Sequence, residues 1–254
     1  MINALLAVTA AIFAAPPDAD TLFERMRDAR ADLEVIEAAF TETSTLPDEV
    51  LVTSGTLIYA RPRRIIYRTN DPARTTLVEQ DFGYEYEPDL KQLMMYDLSE
   101  HPQVDAFFLG FHDDLDTLRA AYDVETFETP DESAGDTGVQ LTPKPENADD
   151  AFFVEARVFL RTQDLLPYRI RIQNESDTFT TIDIDQDSMV INGNPPPEST
   201  QIFLPEGTDI IRNGELWRTV EEGGEHLPDP ILFNGEPPAV KVKELPDPAE
   251  QSAS

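Results

Sequence analysis

The hydrophobic pattern of residues 21–40 predicts an amphipathic helix. Apolar side chains recur there at alternating steps of three and four residues, which is helical spacing. They are Leu22, Met26, Ala29, Leu33, Ile36 and Phe40. Thr21 and Glu24 fit a capping box at the start of the segment. The opposite face, which we expect to be solvated, carries Arg25, Arg27, Arg30, Glu34 and Glu37.

The apolar period changes to two near Leu51, which indicates β-strands. Turn signals rich in Pro, Asn and Asp separate short segments of this kind. The predicted strands span residues 50–61, 64–69, 75–79, 82–87 and 92–98. Strands at such even spacing predict an antiparallel meander, against which the amphipathic helix packs its apolar stripe.

A helical pattern interrupts the strands between Pro102 and Val124. Its apolar positions are Val104, Phe107, Phe108, Phe111, Leu115, Leu118 and Tyr122, with a break near Gly110. Asp113 is placed to cap a second short helix in this insertion. Strands are then predicted at residues 124–128, 139–142, 152–160, 168–173, 178–185 and 201–204.

Three segments are expected along the chain. Residues 1–15 are uncharged, apolar and shorter than the roughly 20 residues that span a bilayer, which fits a cleaved secretory signal. No Lys or Arg precedes this run, so a buried first helix is the alternative. Residues 16–212 form the main domain. Residues 213–254 are an acidic appendage rich in Pro and Gly, ordered in part, with an end expected to be disordered.

The composition excludes several classes of function. The chain has 254 residues, a formal net charge of −31 and no Cys. Such a charge repels phosphate and anionic membrane surfaces, so we expect no nucleic-acid partner. Contact with lipid should therefore come from an apolar cavity. The absence of Cys excludes disulfides, thiol catalysis and a lipid anchor on Cys.

No catalytic or metal-binding motif stands out in the sequence. The chain has three His residues, and neither a serine-hydrolase elbow nor a zinc-protease helix is present. Asp183, Asp185 and Asp187 resemble the start of a calcium loop, but Ser188 and Asn194 stand where that loop needs Gly and Glu. We therefore predict a protein that is not an enzyme and needs no metal or cofactor.

Five segments in sequence order resemble the motifs of LolA-type lipoprotein carriers. Ser54–Pro62 is similar to the family's SG-x-L-x-x-x-RP pattern, and the next segment, Arg64–Tyr67, to its Arg-and-aromatic strand. Tyr84–Gln92 resembles a strand and turn in which the family usually begins with Trp. Leu141–Lys144 reads LTPK as in the family, and Phe203–Ile211 resembles its closing motif. Ile65 and Tyr84 depart from the usual residues, which leaves the cargo open.

The resemblance implies an α+β fold, an incomplete and strongly curved antiparallel β-barrel with helices covering its open concave face. It also implies a monomeric periplasmic chaperone that binds the acyl chains of lipoproteins. Such a carrier takes its acylated lipoprotein cargo from an inner-membrane exporter and gives it to an outer-membrane acceptor. A LolA-fold sensing module that signals through a protein partner is the alternative, and an enzyme on this scaffold is a more distant one.

The resemblance and the strand pattern together nominate the candidate site residues. The predicted lipid-binding residues are Phe40, Leu57, Tyr59, Ile65, Tyr67, Tyr84, Tyr86, Met94, Phe107, Phe108 and Phe111. Ordinary core packing is the alternative for each of them. Arg61 is predicted to hold the helical lid shut by donating to backbone carbonyls, with a plain surface arginine as the alternative.

A cluster of arginines occupies the same hairpin in this acidic chain. Its members are Arg61, Arg63, Arg64, Arg68 and Arg74. They fit either an acidic docking partner or lipid headgroups, or else a solvated edge with Arg–acid pairs.

Overall fold

The computed structural model describes residues 17–227, except residues 80–81, 99–107, 109, 112–113, 130–136, 152 and 176–177. The predicted signal peptide, Phe107 and the end of the appendage lie outside the described residues. The chain divides into two compact units. The described part of the first unit is residues 17–33, 41–52 and 108–186, and that of the second is residues 34–40, 53–98 and 187–227.

Strands dominate the described residues, as expected. The elements in chain order are α1 (Ala19–Ala29), β1 (Val35–Thr45), β2 (Val50–Ala60), β3 (Arg64–Asn70), β4 (Ala73–Glu79), β5 (Phe82–Glu87), β6 (Gln92–Asp97), α2 (Leu115–Ala121), β7 (Tyr122–Glu128), β8 (Thr137–Pro143), a 3-10 helix (Pro145–Asp150), β9 (Glu155–Leu160), β10 (Pro167–Glu175), β11 (Thr178–Ile184), β12 (Val190–Ile191), α3 (Pro197–Thr200), β13 (Phe203–Leu204), β14 (Asp209–Arg212), β15 (Glu215–Thr219) and β16 (Glu225–His226). This confirms a large, mainly antiparallel sheet with few helices. Barrel-like curvature and a helical cover stay predictions.

The second unit is built on the predicted meander. Its strands are hydrogen-bonded in the order β15-β14-β6-β5-β4-β3-β2-β1. Strands β2 to β6 pair antiparallel with their neighbours along the chain. Strand β14 returns to pair parallel with β6, and β15 pairs antiparallel with β14. The β14–β15 hairpin thus runs past residue 212 as part of the sheet.

The first unit contains a second antiparallel meander. Its strands follow the order β11-β10-β9-β8-β7. Helix α1 packs against α2 and β7 and buries Leu22, Phe23 and Met26. The carboxylate of Asp20 on α1 forms a bidentate pair with Arg119 on α2, with N–O distances of 2.8 and 2.9 Å. This bond lowers the pKa of Asp20 and raises that of Arg119.

The predicted helix over residues 21–40 is wrong beyond its first half. Helix α1 ends at Ala29, and Val35–Thr45 is a strand. The side chains of Ile36, Ala38 and Phe40 are buried and alternate with more exposed neighbours, which is the period of a strand. Ile36 and Phe40 fit both the helical spacing of three and four residues and the alternation of a strand. The apolar pattern therefore does not mark the end of the helix.

Two caps and one arginine also differ from the sequence-based expectation. The N-cap of α1 is Asp18, whose carboxylate accepts from the Thr21 amide at 3.0 Å. The same bond lowers the pKa of Asp18. Asp114 caps α2. Arg30, expected on a solvated face, is buried, and its Nη2 donates to the carbonyl of Leu165.

Gly55 lies where β2 passes unusually close to its neighbours. A Cβ at this position would overlap the carbonyl oxygen of Arg68 on β3 and lie 3.1 Å from Cε1 of Phe40. Only a residue without a side chain fits this contact, which explains the glycine of the Ser54–Gly55 motif.

We predict that Gly55→Ala lowers the free energy of unfolding by about 1–3 kcal/mol, the usual cost of overpacking a close contact. Chemical denaturation measures the change. The control is Thr56→Ala at the neighbouring exposed position. Equal stability of the two variants would show that β2 and β3 separate freely at this point.

Candidate binding surface

The strand registers sort the predicted lipid-binding residues onto faces of the sheet. Directly paired residues of antiparallel strands lie on the same face. One row of pairs crosses β2 to β6 through Tyr59, Ile65, Val78, Gly83 and Tyr96. The next row on this face runs through Leu57, Tyr67, Thr76, Glu85 and Met94. We call the surface formed by these two rows the Leu57 face.

The Leu57 face is mainly apolar at its β2–β4 end. Leu57 and Ile65 are 0% exposed, and Val78 is 1% exposed. Phe40 of β1 joins the face, because its ring meets that of Tyr67 edge-on with the centroids 5.7 Å apart. Val78 is not in the predicted set, because Leu77 and Val78 are adjacent and both apolar, and the sequence alone does not tell which of them lies on this face.

The other end of the Leu57 face is mixed. A side chain at Gly83 would meet Leu98, which covers this point of β5 at 3.1 Å. Arg74 and Glu85 form an ion pair at 3.1 Å next to these rows. The phenol of Tyr96, which is partly exposed, donates to the sulfur of Met94 at 3.5 Å. The face therefore grades from hydrocarbon to polar groups across five strands, about 19 Å at the usual strand spacing.

Tyr84 and Tyr86 lie on the opposite surface of the same sheet. Their cross-strand partners include Leu77, Leu93 and Met95. This second surface, the Tyr84 face, forms one buried cluster: Ile66, Leu77, Tyr84, Tyr86, Leu93, Met95, Ile202, Leu204, Ile210 and Val220. Burial raises the pKa of the Tyr86 phenol. The structure therefore does not bring these two tyrosines together with Leu57 and Ile65.

The chain itself covers the Tyr84 face. Ile202, Leu204 and Val220 come from the C-terminal part of the chain and complete the cluster, with Trp217 and Leu227 packed at its margin. The apolar content of this face is therefore explained by folding alone.

Two arginines of β3 fix this C-terminal segment to the sheet. Arg68 donates to the carbonyls of Ser199 at 3.3 Å, Glu198 at 3.2 Å and Gln201 at 2.5 Å. Arg64 donates to the carbonyl of Thr200 and pairs with Glu79, directly opposite it on β4, at 3.1 Å. Burial lowers the pKa of the Arg68 guanidinium. Arg64 and Arg74 form Arg–acid pairs, as in the second interpretation of the arginine cluster, while Arg68 binds backbone carbonyls.

Arg61 begins the turn between β2 and β3 and is partly exposed. Its backbone N–H donates to the carbonyl of Glu34 at 2.9 Å, just before β1. Asn192 fixes the same part of the backbone. Its side-chain oxygen accepts from the Glu34 amide at 2.7 Å, and its backbone amide donates to the carbonyl of Val35. The backbone position of Arg61 is thus well defined, and its action as a latch stays a prediction.

Phe108 and Phe111 belong to the first unit, whereas the Leu57 face belongs to the second. Both rings are buried, and the Phe111 amide donates to the carbonyl of Phe108 at 2.9 Å. Gly110 between them has a positive φ of 82°, and a Cβ there would lie 2.8 Å from Pro167 and Val158. This turn therefore packs closely on β9 and β10. The lipid-binding role of the two rings stays a prediction.

The described residues offer no metal centre. Within them, no three His, Asp or Glu side chains are grouped so that they can hold an ion. Asp183 of the calcium-like segment instead pairs with Arg169 at 2.5 Å. His226 stacks edge-on against Phe203, with centroids 5.3 Å apart. No helix in the described part of the chain has the length and apolarity needed to cross a bilayer.

The fold and its surfaces define a sheet protein with two apolar faces, of which the chain's own C-terminal segment covers one. Residues 31–195 match the family model described as outer membrane lipoprotein carrier protein LolA. Because this match covers well over half of the chain, the chain belongs to the LolA family, as the sequence motifs indicated. The family description names a carrier. No curated protein sequence matches the chain.

The solved structures to which this chain is similar are distant in sequence. An uncharacterized conserved protein from Thermus thermophilus is 9% identical over 77% of this chain and 99% of its own, with a TM-score of 0.46. A LolA superfamily protein from Nitrosomonas europaea is 10% identical over 71% and 96%, with a TM-score of 0.37. The Pseudomonas aeruginosa MucA/MucB complex matches at 13% identity over 72% and 60%, with a TM-score of 0.41. The family assignment rests on the sequence match alone.

We predict that Arg68→Gln loosens the C-terminal segment from the Tyr84 face. Hydrogen bonds from a charged group contribute about 1.5–3 kcal/mol each, so amide hydrogen exchange at Ile202, Leu204 and Val220 should accelerate. Arg74→Gln is the control, because its partly exposed ion pair with Glu85 contributes about 1 kcal/mol or less. Equal exchange in the two variants would mean that the apolar cluster alone holds the segment.

Proposed function

We propose that this protein is a periplasmic carrier that binds the acyl chains of lipoproteins against the Leu57 face. The observation that carries the proposal is that face itself. It is apolar across β2, β3 and β4, while Ile202, Leu204 and Val220 pack on the opposite face with Ile66 of β3 and Leu77 of β4. Membership of the LolA family supports an acylated lipoprotein as the cargo.

The burial of the Leu57 face suits a carrier that must also release its cargo. Burying a CH₂ group from water contributes about 0.8 kcal/mol. Leu57, Ile65 and Val78 are buried without cargo, so an acyl chain replaces protein contacts there. Binding removes the hydrocarbon of the cargo from water, but it buries little additional apolar surface of the protein. Affinity is then moderate, and relative affinities along a route can set the direction of transfer.

The proposed route begins at an inner-membrane lipoprotein exporter and ends at an outer-membrane acceptor. An export signal in residues 1–15 places the protein in the periplasm under this proposal. Transfer needs no cofactor, because no bond is made or broken. The protein acts as a monomeric chaperone that shields the acyl chains from water between the two membranes.

A sensing module that binds lipid or lipoprotein and acts through a protein partner is the second candidate. The observation that favours it is the length of chain beyond residue 195, where the family match ends. Strands β13 to β16 lie in this part of the chain and give such a module additional surface. Removing residues 228–254 separates the two functions, since transfer of cargo should survive the deletion and signalling should not.

The decisive experiment compares two neighbouring isoleucines that face opposite sides of β3. Ile65 on the Leu57 face is 0% exposed and Ile66 on the Tyr84 face is 1% exposed. Ile65→Thr puts a hydroxyl where the acyl chain binds and should weaken binding of a triacylated lipopeptide about tenfold, since an unpaired buried hydroxyl costs about 1–3 kcal/mol. Ile66→Thr should change that affinity less than about twofold, because it affects packing alone.

Binding is measured by displacement of an environment-sensitive apolar dye from the full chain. The non-acylated form of the same lipopeptide is the ligand control, and circular dichroism confirms that both variants fold. Equal weakening by the two substitutions would show that the effect comes from stability. Displacement by neither lipopeptide would reject the carrier and favour the partner-binding module.

We predict that Arg61→Leu strengthens binding of the triacylated lipopeptide and slows its release. The family resemblance assigns Arg61 to the bonds that favour a closed lid, and removing them raises the fraction of open, binding-competent protein. Stopped-flow release of a fluorescent lipopeptide gives the rate. Arg63→Leu in the same turn is the control. A release rate for Arg61→Leu equal to that of wild type would reject the latch.

A further inference from the structure

The hairpin between β1 and β2 carries an exposed apolar segment that the proposed function does not use. Val50, Leu51 and Val52 are 60%, 52% and 64% exposed. All three belong to the first unit, as does the part of β1 from residue 41 onward. The hairpin tip is ordered by the amide of Leu46, which donates to the carbonyl of Glu49 at 2.9 Å.

Three consecutive exposed residues are unusual for a strand. Side chains alternate between faces, so a strand lying on a core exposes every second residue. At Val50–Val52 both faces of the ribbon meet solvent. Val50 and Val52 are β-branched, which favours a strand. Exposing their apolar side chains and that of Leu51 to water contributes nothing to stability. A contiguous exposed apolar patch, unlike a single exposed apolar residue, is a feature of interaction sites.

The outer edge of this segment is also open to another strand. Strand β3 pairs with residues Gly55 to Ala60 of β2, and that register ends before Val52 is reached. Among the described strands, β2 has β1 and β3 as its neighbours. The backbone N–H and C=O groups at Val50–Val52 that point away from β1 can therefore accept an additional strand, the arrangement known as strand addition.

Charge decides which occupant fits this edge. No Lys or Arg occurs between Arg30 and Arg61, whereas six acidic residues do: Asp32, Glu34, Glu37, Glu42, Asp48 and Glu49. Asp48 and Glu49 are exposed next to Val50. An anionic bilayer is repelled by these carboxylates, and a second copy of the chain brings the same acids and a net charge of −31. An apolar strand with basic flanks has the complementary charge.

We propose that Val50–Val52 is a docking edge for an extended segment of a partner protein in which apolar residues are flanked by Lys or Arg. The partner strand pairs antiparallel with the outer edge of β2, and its basic flanks lie beside Asp48 and Glu49. Main-chain hydrogen bonds supply much of the affinity, and the charges supply selectivity. This interaction is independent of cargo on the Leu57 face.

The test uses the full chain and a fluorescent synthetic peptide in which alternating Val and Thr are flanked by lysines. Fluorescence anisotropy should show binding, and the same peptide with Glu flanks should bind at least about tenfold more weakly. Leu51→Lys should weaken binding of the lysine-flanked peptide by a similar factor, about tenfold. Leu90→Lys is the control, because Leu90 is 61% exposed in the turn after β5 and undergoes the same change.

Backbone methylation of alternate residues in the peptide should abolish binding if strand addition is the mode. The proposal is overturned if flank charge makes no difference, or if Leu51→Lys and Leu90→Lys behave alike. Two further results would also overturn it. One is that Leu51→Lys disrupts binding to vesicles containing anionic phosphatidylglycerol, and the other is that it disrupts self-association measured by sedimentation. Dye displacement by the triacylated lipopeptide should be unchanged in Leu51→Lys, which separates this outcome from failure of the carrier function.

Discussion

The register of β3 between β2 and β4 determines which side chains form each face of the second unit. A slip of one residue exchanges Ile65 for Ile66 and turns the Leu57 face into its opposite. Hydrophobicity does not prevent such a slip, because both side chains are apolar and buried. Polar contacts supply the missing specificity. Arg64 meets Glu79 directly across the ladder, and Arg68 on the same face reaches the carbonyls of residues 198–201.

These contacts also give the two faces different roles. The guanidinium groups of Arg64 and Arg68 attach the C-terminal segment to the Tyr84 face, where Ile202 and Leu204 complete a buried cluster. That segment begins where the family match ends, at residue 195. One face of the sheet is therefore covered by a segment of the same chain. Leu57, Ile65 and Val78 on the opposite face are also buried, and the proposed carrier function assigns the ligand to that face.

The sequence predicted the strands better than the faces. The meander from β2 to β6 followed from period two and its Pro-rich turns, because most of its strands are short and turn residues bound them. The assignment of residues to each face of the sheet did not follow from the sequence. Tyr84 and Tyr86 are aromatic and resemble a family motif, yet their direction depends on pairing with Leu77 and Met95. Val78 was overlooked for the same reason, and the end of α1 was missed because Ile36 and Phe40 satisfy both periods.

The charge of the chain bears differently on the two proposed interactions, the binding of cargo and the binding of protein partners. Hydrocarbon is uncharged, so the Leu57 face is unaffected by a net charge of −31. Anionic bilayers, in contrast, repel such a surface at distances up to the Debye length, about 8 Å at physiological salt. Under the proposed carrier function, the protein therefore does not collect or deliver cargo by resting on a membrane. Under that proposal it needs protein partners at both ends of its route, and the proposed docking edge beside Asp48 and Glu49 would provide contacts that hydrocarbon on the Leu57 face does not.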